Sequence, residues 1–313
     1  MYFIDELREG ESISEVYLCK NKTTATTKAG KTYYSLILQD KTGVADAKVW
    51  ELNNAIEHFD AMDYIRVDAQ VTSFNNALQL NVKRIRKADE GEYDPSDYFP
   101  CSGRDIDGMY KELLGIVDTV KEEHLNQLLK LFFVDDEVFI KKFKVHSAAK
   151  SIHHGFIGGL LEHSLSVAKL CIYIADNYPV IKRDLLVTAA LLHDIGKVDE
   201  LSSFPENDYT DEGQFIGHIV MGAMMVDEKI RTMGDFPTVL GNELKHCILA
   251  HHGELEFGSP KKPAIIEALA LAHADNLDAK LETFTELINS NNGKKEWMGY
   301  NKMFDSNVRV TDE

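Results

Sequence analysis

Histidines in this sequence are concentrated in one part of the chain, where they stand beside acidic and apolar residues. Ten of the twelve histidines lie between residues 146 and 273. Five short stretches carry most of them: LLEHSL, LLHDIGK, FIGHIV, LAHHGE and LAHADNLD. One buried histidine is usually a core residue, but five such stretches within 113 residues are hard to explain by packing. Imidazole and carboxylate groups together suit Mn, Fe, Zn and similar divalent ions, so the pattern predicts a metal site.

The stretch LLHDIGK, residues 191–197, is apolar enough for a buried helix but carries three polar side chains. Asp194 and Lys197 cost free energy in a core unless they are paired or ligated. They stand three residues apart, so a helical ion pair is one interpretation. Metal ligation by His193 and Asp194 is the other, and the stretch by itself leaves both open.

The elements that must position these residues change type along the chain. Residues 1–88 contain five segments with the period-two alternation of strands, and LNNAIEHFD between the third and fourth is compatible with a short helix. Five strands with one helix after the third is the order of an OB-fold. Residues 89–104 are an acidic linker with two prolines, residues 105–290 have helical periodicity, and residues 291–313 are a polar tail or docking extension. We therefore predict a small five-stranded OB-fold barrel followed by an all-helical domain.

Basic and aromatic residues are interleaved in the predicted barrel. Aromatic rings beside a cationic groove are what single-stranded nucleic acid binding requires. The aromatic residues concerned are Tyr17, Tyr33, Tyr34, Trp50 and Phe74, and the alternative is that about half of them fill the barrel. The residues predicted to contact nucleic acid are Lys20, Lys22, Lys31, Tyr33, Lys83, Arg84 and Arg86, with His154 from the helical domain.

Composition narrows the class of protein. Residues 1–90 hold 12 Lys and Arg against 14 Asp and Glu, so most of the net charge of −17 belongs to the remainder. That acidic part cannot attract a polyanion by diffuse charge and would need local cations such as metal ions. Four scattered cysteines without CxxC spacing argue against a structural zinc cluster and indicate reduced thiols. With no secretory pattern in MYFIDELREGESISE and no long apolar run, we expect a cytoplasmic protein.

The motifs resemble a known superfamily. His163, then His193-Asp194, then Asp275 match the H…HD…D signature of HD-domain metal-dependent phosphohydrolases. The extra ligands of its two-metal subgroup match His218, His251 and His252. Placed behind an OB-fold over essentially the whole length, the chain resembles the YhaM family of 3′→5′ exoribonucleases. Three further stretches fit: HHGFIGGLLEHSLSVA (153–168), HHGELEFGSP (251–260) and ADNLDAK (274–280).

This resemblance implies a site and a reaction. Asp194 would bridge two divalent metals, with Mn favoured over Fe, Co or Zn. The implied ligand groups are His163, His193 and Asp275 for one metal, and His218, His251 and His252 for the other. Lys197 would contact a substrate phosphate. The implied activity is the release of nucleoside 5′-monophosphates from single-stranded RNA. Single-stranded DNA is a second candidate substrate.

Several alternatives stay open at this point. His153 and His154 precede a glycine-rich helix start and could contact substrate or lie at the surface. His246 is an alternative ligand to one of His251 and His252, while three other histidines are interpreted as structural: His58, His124 and His146. One competing function is an HD hydrolase of nucleotides or of cyclic dinucleotides, and the absence of a GYP sequence after the histidine pair argues against the cyclic-dinucleotide version only. The other is a non-enzymatic protein that binds single-stranded nucleic acid. Self-association into a homo-oligomer is compatible with the sequence.

Overall fold

The computed structural model describes residues 1–75, 77–150, 154–290 and 296–311. The chain divides into two compact units: Met1–Cys101 with Phe204–Glu206, and Ser102–Ser203 with Asn207–Glu313. A closed β-barrel makes up most of the first unit, and helices make up most of the second. The predicted fold class, a small barrel followed by a helical domain, is confirmed.

The barrel strands are β1 (Ser12–Thr26), β2 (Thr32–Asp40), β3 (Gly43–Val49), β4 (Tyr64–Phe74) and β5 (Ala77–Lys87). They close in the order β1-β2-β3-β5-β4, with β3 and β5 parallel and the other neighbours antiparallel. The first half of β1 pairs with β4 and the second half with β2, with a register shift between Cys19 and Asn21. Such an irregularity bends a strand, which lets β1 close the barrel on both sides.

Alternation along the strands fills the barrel core. In β4 the buried positions are every second residue: Ile65, Val67, Ala69 and Val71. Tyr17, one of the aromatics considered for stacking, is fully buried in this core and donates its hydroxyl hydrogen to the Tyr2 carbonyl. Tyr17 therefore fills the barrel, as the alternative interpretation expected for part of the aromatic set.

The prediction of a helix between β3 and β4 is wrong. Residues 52–60 form turns and an isolated bridge between Ile56 and Ile85. The Asn53 side chain accepts from the Ala55 N–H, which holds a turn in place of a helical start. The bridge to Ile85 then draws the segment onto the sheet.

The helical unit contains, in the described residues, ten α-helices with short connections. They are α1 (Ile106–Val117), α2 (Glu123–Phe133), α3 (Glu137–Val145), α4 (Gly159–Asn177), α5 (Arg183–Leu192), α6 (Lys197–Glu200), α7 (Asp211–Ile216), α8 (His218–Met233), α9 (Thr238–Leu249) and α10 (Ile266–Ser290). Every residue of α5 from Leu185 to Leu192 is buried, and all of them except Thr188 are apolar, as is typical of a helix inside a core. It is the central helix, packed against α4, α9 and α10.

The helical pattern through LLHDIGK does not form one continuous helix. α5 ends at Leu192, His193–Gly196 make turns, and α6 starts at Lys197. A Cβ at Gly196 would collide with the carbonyl oxygen of His218 and the N–H of Gly222 on α8. The close approach of α8 therefore requires glycine at this turn, and the turn presents His193 and Asp194 beyond the end of α5.

The C-terminal segment carries regular structure that its sequence pattern did not predict. Strands β6 (Trp297–Asn301) and β7 (Ser306–Arg309) pair as an antiparallel hairpin. The turn of the hairpin contains Phe304, whose ring packs against Phe284 of α10 with ring centroids 5.1 Å apart.

Among the residues described, no helix has both the length and the apolarity needed to cross a membrane.

Candidate metal centre

Two helix interiors and three helix ends bring the seven predicted ligands together. His163 lies inside α4 and Asp275 inside α10, while His218 is the first residue of α8. His193-Asp194 directly follow α5, and His251-His252 follow the end of α9. Adjacent residues on a helix point about 100° apart, so a pair of neighbouring ligands requires a helix end. The position of His251 and His252 meets that condition.

The first group of candidate ligand atoms comes from His163, His193 and Asp275. His163 Nε2 lies 3.1 Å from Asp275 Oδ1 and 3.2 Å from His193 Nε2. His193 Nε2 is 3.8 Å from the same Asp275 oxygen. Both histidines are buried, so their facing nitrogens have little access to water.

The second group comes from His218, His251 and His252. Their ligand atoms lie within 4.8 Å of one another. The ring centroids of His218 and His252 are 5.3 Å apart, and those of His251 and His252 are 4.5 Å apart. Three imidazoles converging on one point form a donor set of the kind that divalent transition metals take.

Asp194 lies between the two groups. Its Oδ2 is 3.4 Å from both His163 Nε2 and His193 Nε2. Its Oδ1 is 3.4 Å from His218 Nε2 and 3.5 Å from His251 Nε2. The carboxylate is 1 % exposed, and each oxygen faces a different group.

All five histidines of the two groups are held by Nδ1. His193, His251 and His252 donate from Nδ1 to the backbone carbonyls of Ala190, Ile248 and Phe257, at 2.8, 2.7 and 2.8 Å. His163 and His218 donate to carboxylates, those of Asp278 and Glu200, at 2.8 and 2.9 Å. Carbonyls and carboxylates only accept, so Nδ1 carries the hydrogen and the Nε2 lone pair faces the centre of the cluster.

Unpartnered atoms test whether these residues fit a cation. Within the described residues, the buried Asp194 Oδ1 and His218 Nε2 make no hydrogen bond. Both are lone-pair acceptors facing each other, an arrangement that costs free energy unless a positive charge fills the gap. The residues therefore fit a divalent metal, and the donor set of imidazole nitrogens and carboxylate oxygens matches Mn, Fe, Zn and related ions.

Lys197 supplies a fixed charge beside this cluster. Its Nζ lies 2.6 Å from Asp194 Oδ2, so the ion pair considered from the sequence is present. Burial opposes both charges, but the pairing outweighs it: the pKa of Asp194 is held well below its usual range and that of Lys197 is raised. Both groups are charged at neutral pH as a result.

A cavity of about 210 Å³ opens onto the cluster. Its lining includes Lys197, His252, Asp275 and His154. His154 has a positive φ of 56°, is buried, and leaves its Nδ1 without a hydrogen bond in the described structure. A small group carrying negative charge could meet the Lys197 ammonium group here, with the acceptor Nδ1 of His154 on the same cavity wall. His153 lies outside the described residues.

Two residues of the site were missed from the sequence. Asp278 stands one helical turn after Asp275, and Glu200 ends α6. Spacing offered a signal for Asp278, because residues three apart share a helix face. Glu200 gave none, because its contact with His218 crosses a loop.

Four other histidines have partners away from the cluster. The His246 ring accepts from the Ala264 N–H at 2.9 Å and belongs to neither group. His146 is buried between the Ser147 and Leu201 carbonyls. His58 and His124 contact nearby carboxylates, those of Asp60 and Glu122.

The basic residues of the barrel that were predicted to contact nucleic acid differ in whether their side chains already make an ion pair or a hydrogen bond. Lys20 and Lys83 are exposed and have no ion pair or hydrogen bond within the described part of the chain. Lys22 donates to the Phe59 carbonyl, and Arg86 pairs with Glu92. Arg84 lies 3.6 Å from Asp68 and Lys31 lies 3.7 Å from Glu51, both on exposed surfaces. The Tyr33 ring packs against Trp50 with ring centroids 4.6 Å apart and ring planes tilted by 31°.

The fold and the cluster define an HD-domain metal-dependent hydrolase. The HD domain family model matches residues 160–280, a range that holds all seven candidate ligands. The chain is 32% identical over 277 residues to the 3′-5′ exoribonuclease YhaM of Geobacillus sp. (strain WCH70), covering 87% of this chain and 83% of that protein.

It is also 31% identical over 284 residues to the protein of the same name from Listeria innocua serovar 6a (strain ATCC BAA-680 / CLIP 11262), covering 89% of this chain and 88% of that one. The chain belongs to the YhaM family of 3′-5′ exoribonucleases. Among solved structures, the second OB-fold domain of replication protein A from Methanococcus maripaludis matches 29% of this chain and 96% of that domain at 25% identity, with a TM-score of 0.22. The barrel assignment itself rests on strand order.

Proposed function

We propose that this protein is a two-metal 3′→5′ exoribonuclease that releases nucleoside 5′-monophosphates from single-stranded RNA. The observation that carries the proposal is the position of Asp194, whose two oxygens face two separate groups of histidines. Membership of the YhaM family supports the direction and the RNA substrate.

The ligand set follows from the atoms that converge. One metal would be held by His163, His193 and Asp275, the other by His218, His251 and His252, and Asp194 would be shared. When bound, the two ions would lower the pKa of a water molecule and neutralise phosphate oxygens. Manganese is the metal we expect, because hard carboxylate and borderline imidazole donors are mixed in the first group and thiolate is absent from both.

Lys197 and His154 act on the substrate side of the cavity. Lys197 carries a positive charge that Asp194 stabilises against burial and holds in place, so it can bind a non-bridging phosphate oxygen without reorganising. His154 offers the unpartnered Nδ1 as an acceptor to a hydroxyl group of the terminal sugar. Its Nε2 contacts Asp278 at 3.3 Å, which orients the ring.

The barrel would hold the strand upstream of the cleaved end. The exposed lysines Lys20 and Lys83 provide charge that no neighbour among the described residues neutralises, and the Tyr33–Trp50 pair offers aromatic faces on which bases could stack. Stacking is tolerant of base sequence, as a degradative enzyme requires. The same features would accept single-stranded DNA, with lower activity expected only if the site contacts the 2′-hydroxyl.

The experiment uses one RNA oligonucleotide labelled at either end and incubated with Mn²⁺ and the full-length protein. The 5′-labelled strand should give a descending ladder, while the 3′-labelled strand should release labelled mononucleotide from the first time point. Chelation by EDTA should stop both. An endonucleolytic pattern, or a labelled mononucleotide released first from the 5′-labelled strand, would contradict the proposal. A parallel DNA strand measures the sugar preference.

A further inference from the structure

Two carboxylates outside the predicted ligand set hold histidines of the two groups. Three of the five grouped histidines donate from Nδ1 to backbone carbonyls, and two donate to side-chain carboxylates. The two exceptions are distributed evenly, with one in each group. Asp278 holds His163 in the first group, and Glu200 holds His218 in the second.

Glu200 fixes both the ring and the backbone of His218. Its Oε1 accepts from the His218 peptide N–H and from Nδ1, each at 2.9 Å. The Glu200 side chain is largely buried, which strengthens hydrogen bonds to its charge. Because His218 is the first residue of α8, one oxygen sets where this helix begins and which way its first side chain points.

Asp278 joins His163 to the cavity. Its Oδ2 accepts from His163 Nδ1 at 2.8 Å and from His154 Nε2 at 3.3 Å. It lies one turn beyond Asp275 on α10, so the same helix supplies a candidate ligand and the support of another. Asp278 therefore connects the first group to a residue that lines the substrate cavity.

We propose that Glu200 and Asp278 are positioning residues that set the affinities of the two metals separately. A carboxylate acceptor at Nδ1 fixes the imidazole tautomer and raises the basicity of Nε2, more than a neutral carbonyl does. Glu200 would strengthen the metal held by His218, His251 and His252. Asp278 would strengthen the metal held by His163, His193 and Asp275. The inference rests on the proposed two-metal function, and it adds the residues that tune each metal.

The test is calorimetric titration of the metal-free full-length protein with Mn²⁺ alone. We expect two binding events in the wild type. Glu200→Gln, which removes the charge but keeps the shape, should weaken one event by about 10–100-fold and leave the other unchanged. Asp278→Asn should weaken the other event by a similar factor. Glu200→Ala and Asp278→Ala, which remove the acceptor as well, should weaken the same events further.

A matched control comes from the same unit. Glu267 is buried and accepts from a backbone N–H, that of Lys182 at 2.7 Å, and among the described residues it bonds to no histidine. Glu267→Gln should lower thermal stability without changing either binding event. Equal weakening of both events by Glu200→Gln, or an effect of Glu267→Gln as large, would overturn the proposal.

Ligand variants assign the events. His218→Ala should abolish the binding event that Glu200→Gln weakens. In the double variant His218→Ala/Glu200→Ala, the affinity of the remaining event should be the same as in His218→Ala. His163→Ala and Asp278→Ala should behave in the same way for the other metal. If the two variants of either pair affect different binding events, the assignment of that carboxylate to its metal is wrong. A wild type that binds two Mn²⁺ ions but leaves RNA intact would overturn the proposed function alone.

Discussion

Two buried aspartates, one in each unit, show how differently the barrel and the helical unit treat a carboxylate. Asp40 in the barrel is 3 % exposed and Asp194 in the helical unit is 1 % exposed. Asp40 Oδ1 accepts from the Thr42 N–H and hydroxyl, and its Oδ2 accepts from the Ile4 N–H. Asp194 Oδ1 has no hydrogen-bond donor in the described structure.

The difference lies in what each carboxylate still lacks. Asp40 is satisfied by its own chain, so its charge stabilises a turn and the N-terminal segment. Asp194 is surrounded by lone pairs from imidazoles as well as by Lys197, and one oxygen is left open to a cation. Two carboxylates that are buried to the same extent can therefore have different roles. The number of carboxylate oxygens that have a hydrogen-bond donor distinguishes the structural Asp40 from the candidate ligand Asp194.

The largest expected effect separates these two roles. Asp194→Asn removes the charge shared between the two groups and should reduce RNA hydrolysis by well over 10²-fold. Replacing a residue that only supports a metal ligand costs at most about 10²-fold, and the loss of Asp194 should exceed that. The helical content should be unchanged, because the replacement has the same shape. Turnover with Mn²⁺, metal content and circular dichroism measure the three quantities. A variant that keeps most wild-type turnover would refute the shared role.

The next prediction concerns the partner of Asp194. Lys197→Ala should lower turnover by on the order of 10²-fold while both metals remain bound, because a preorganised charge is lost from the phosphate site. Lys142 is a control, since it makes an exposed ion pair with Asp199 at 3.1 Å. Lys142→Ala should leave turnover within about twofold, as expected for a surface pair. Loss of stability or metal in Lys197→Ala, without a rate effect, would favour a purely structural ion pair.

Asp40 should give the reverse result. Asp40→Asn should destabilise the barrel by about 1.5–3 kcal/mol, the worth of hydrogen bonds to a buried charge. Hydrolysis of a short substrate by the folded variant should be unaffected. Trp50 is in the barrel and Trp297 is the other tryptophan, so urea unfolding followed by fluorescence in a Trp297→Phe background reports on the barrel. Unchanged unfolding would mean that Asp40 is less important than its contacts suggest.

The smallest effect tests the barrel surface. Lys83→Ala should weaken binding of a long single strand a few-fold and lower the slope of log affinity against log salt by about 0.7. Lys48, which already bonds to Ser35 and Asp46, is the control and should change neither quantity. Fluorescence anisotropy with Asp194→Asn protein measures binding without hydrolysis. Equal effects of both lysines would mean that unpaired charge does not select the binding surface.

The sequence predicted the parts of this protein that depend on local pattern. Alternation was sufficient for the five strands. Histidines beside carboxylates on apolar helices indicated a metal site, and the resemblance to HD-domain phosphohydrolases was needed to select the seven residues that converge. The helix expected over residues 52–60 was wrong because Asn53 and the bridge of Ile56 to Ile85 compete with helical hydrogen bonds. The break after Leu192 and the role of Glu200 could not be predicted, since both depend on where α8 lies in three dimensions.

The close contact between Gly196 and the start of α8 has a consequence for transplanting this site into another helical scaffold. Copying the seven ligands would be insufficient. The turn His193–Gly196 touches the backbone of His218 through Gly196, and there is no room for a side chain at that position. The spacing of those two segments is thus a design constraint of the same rank as ligand identity. A scaffold that holds them one methyl group further apart would present every imidazole and still place His218 out of reach of Asp194.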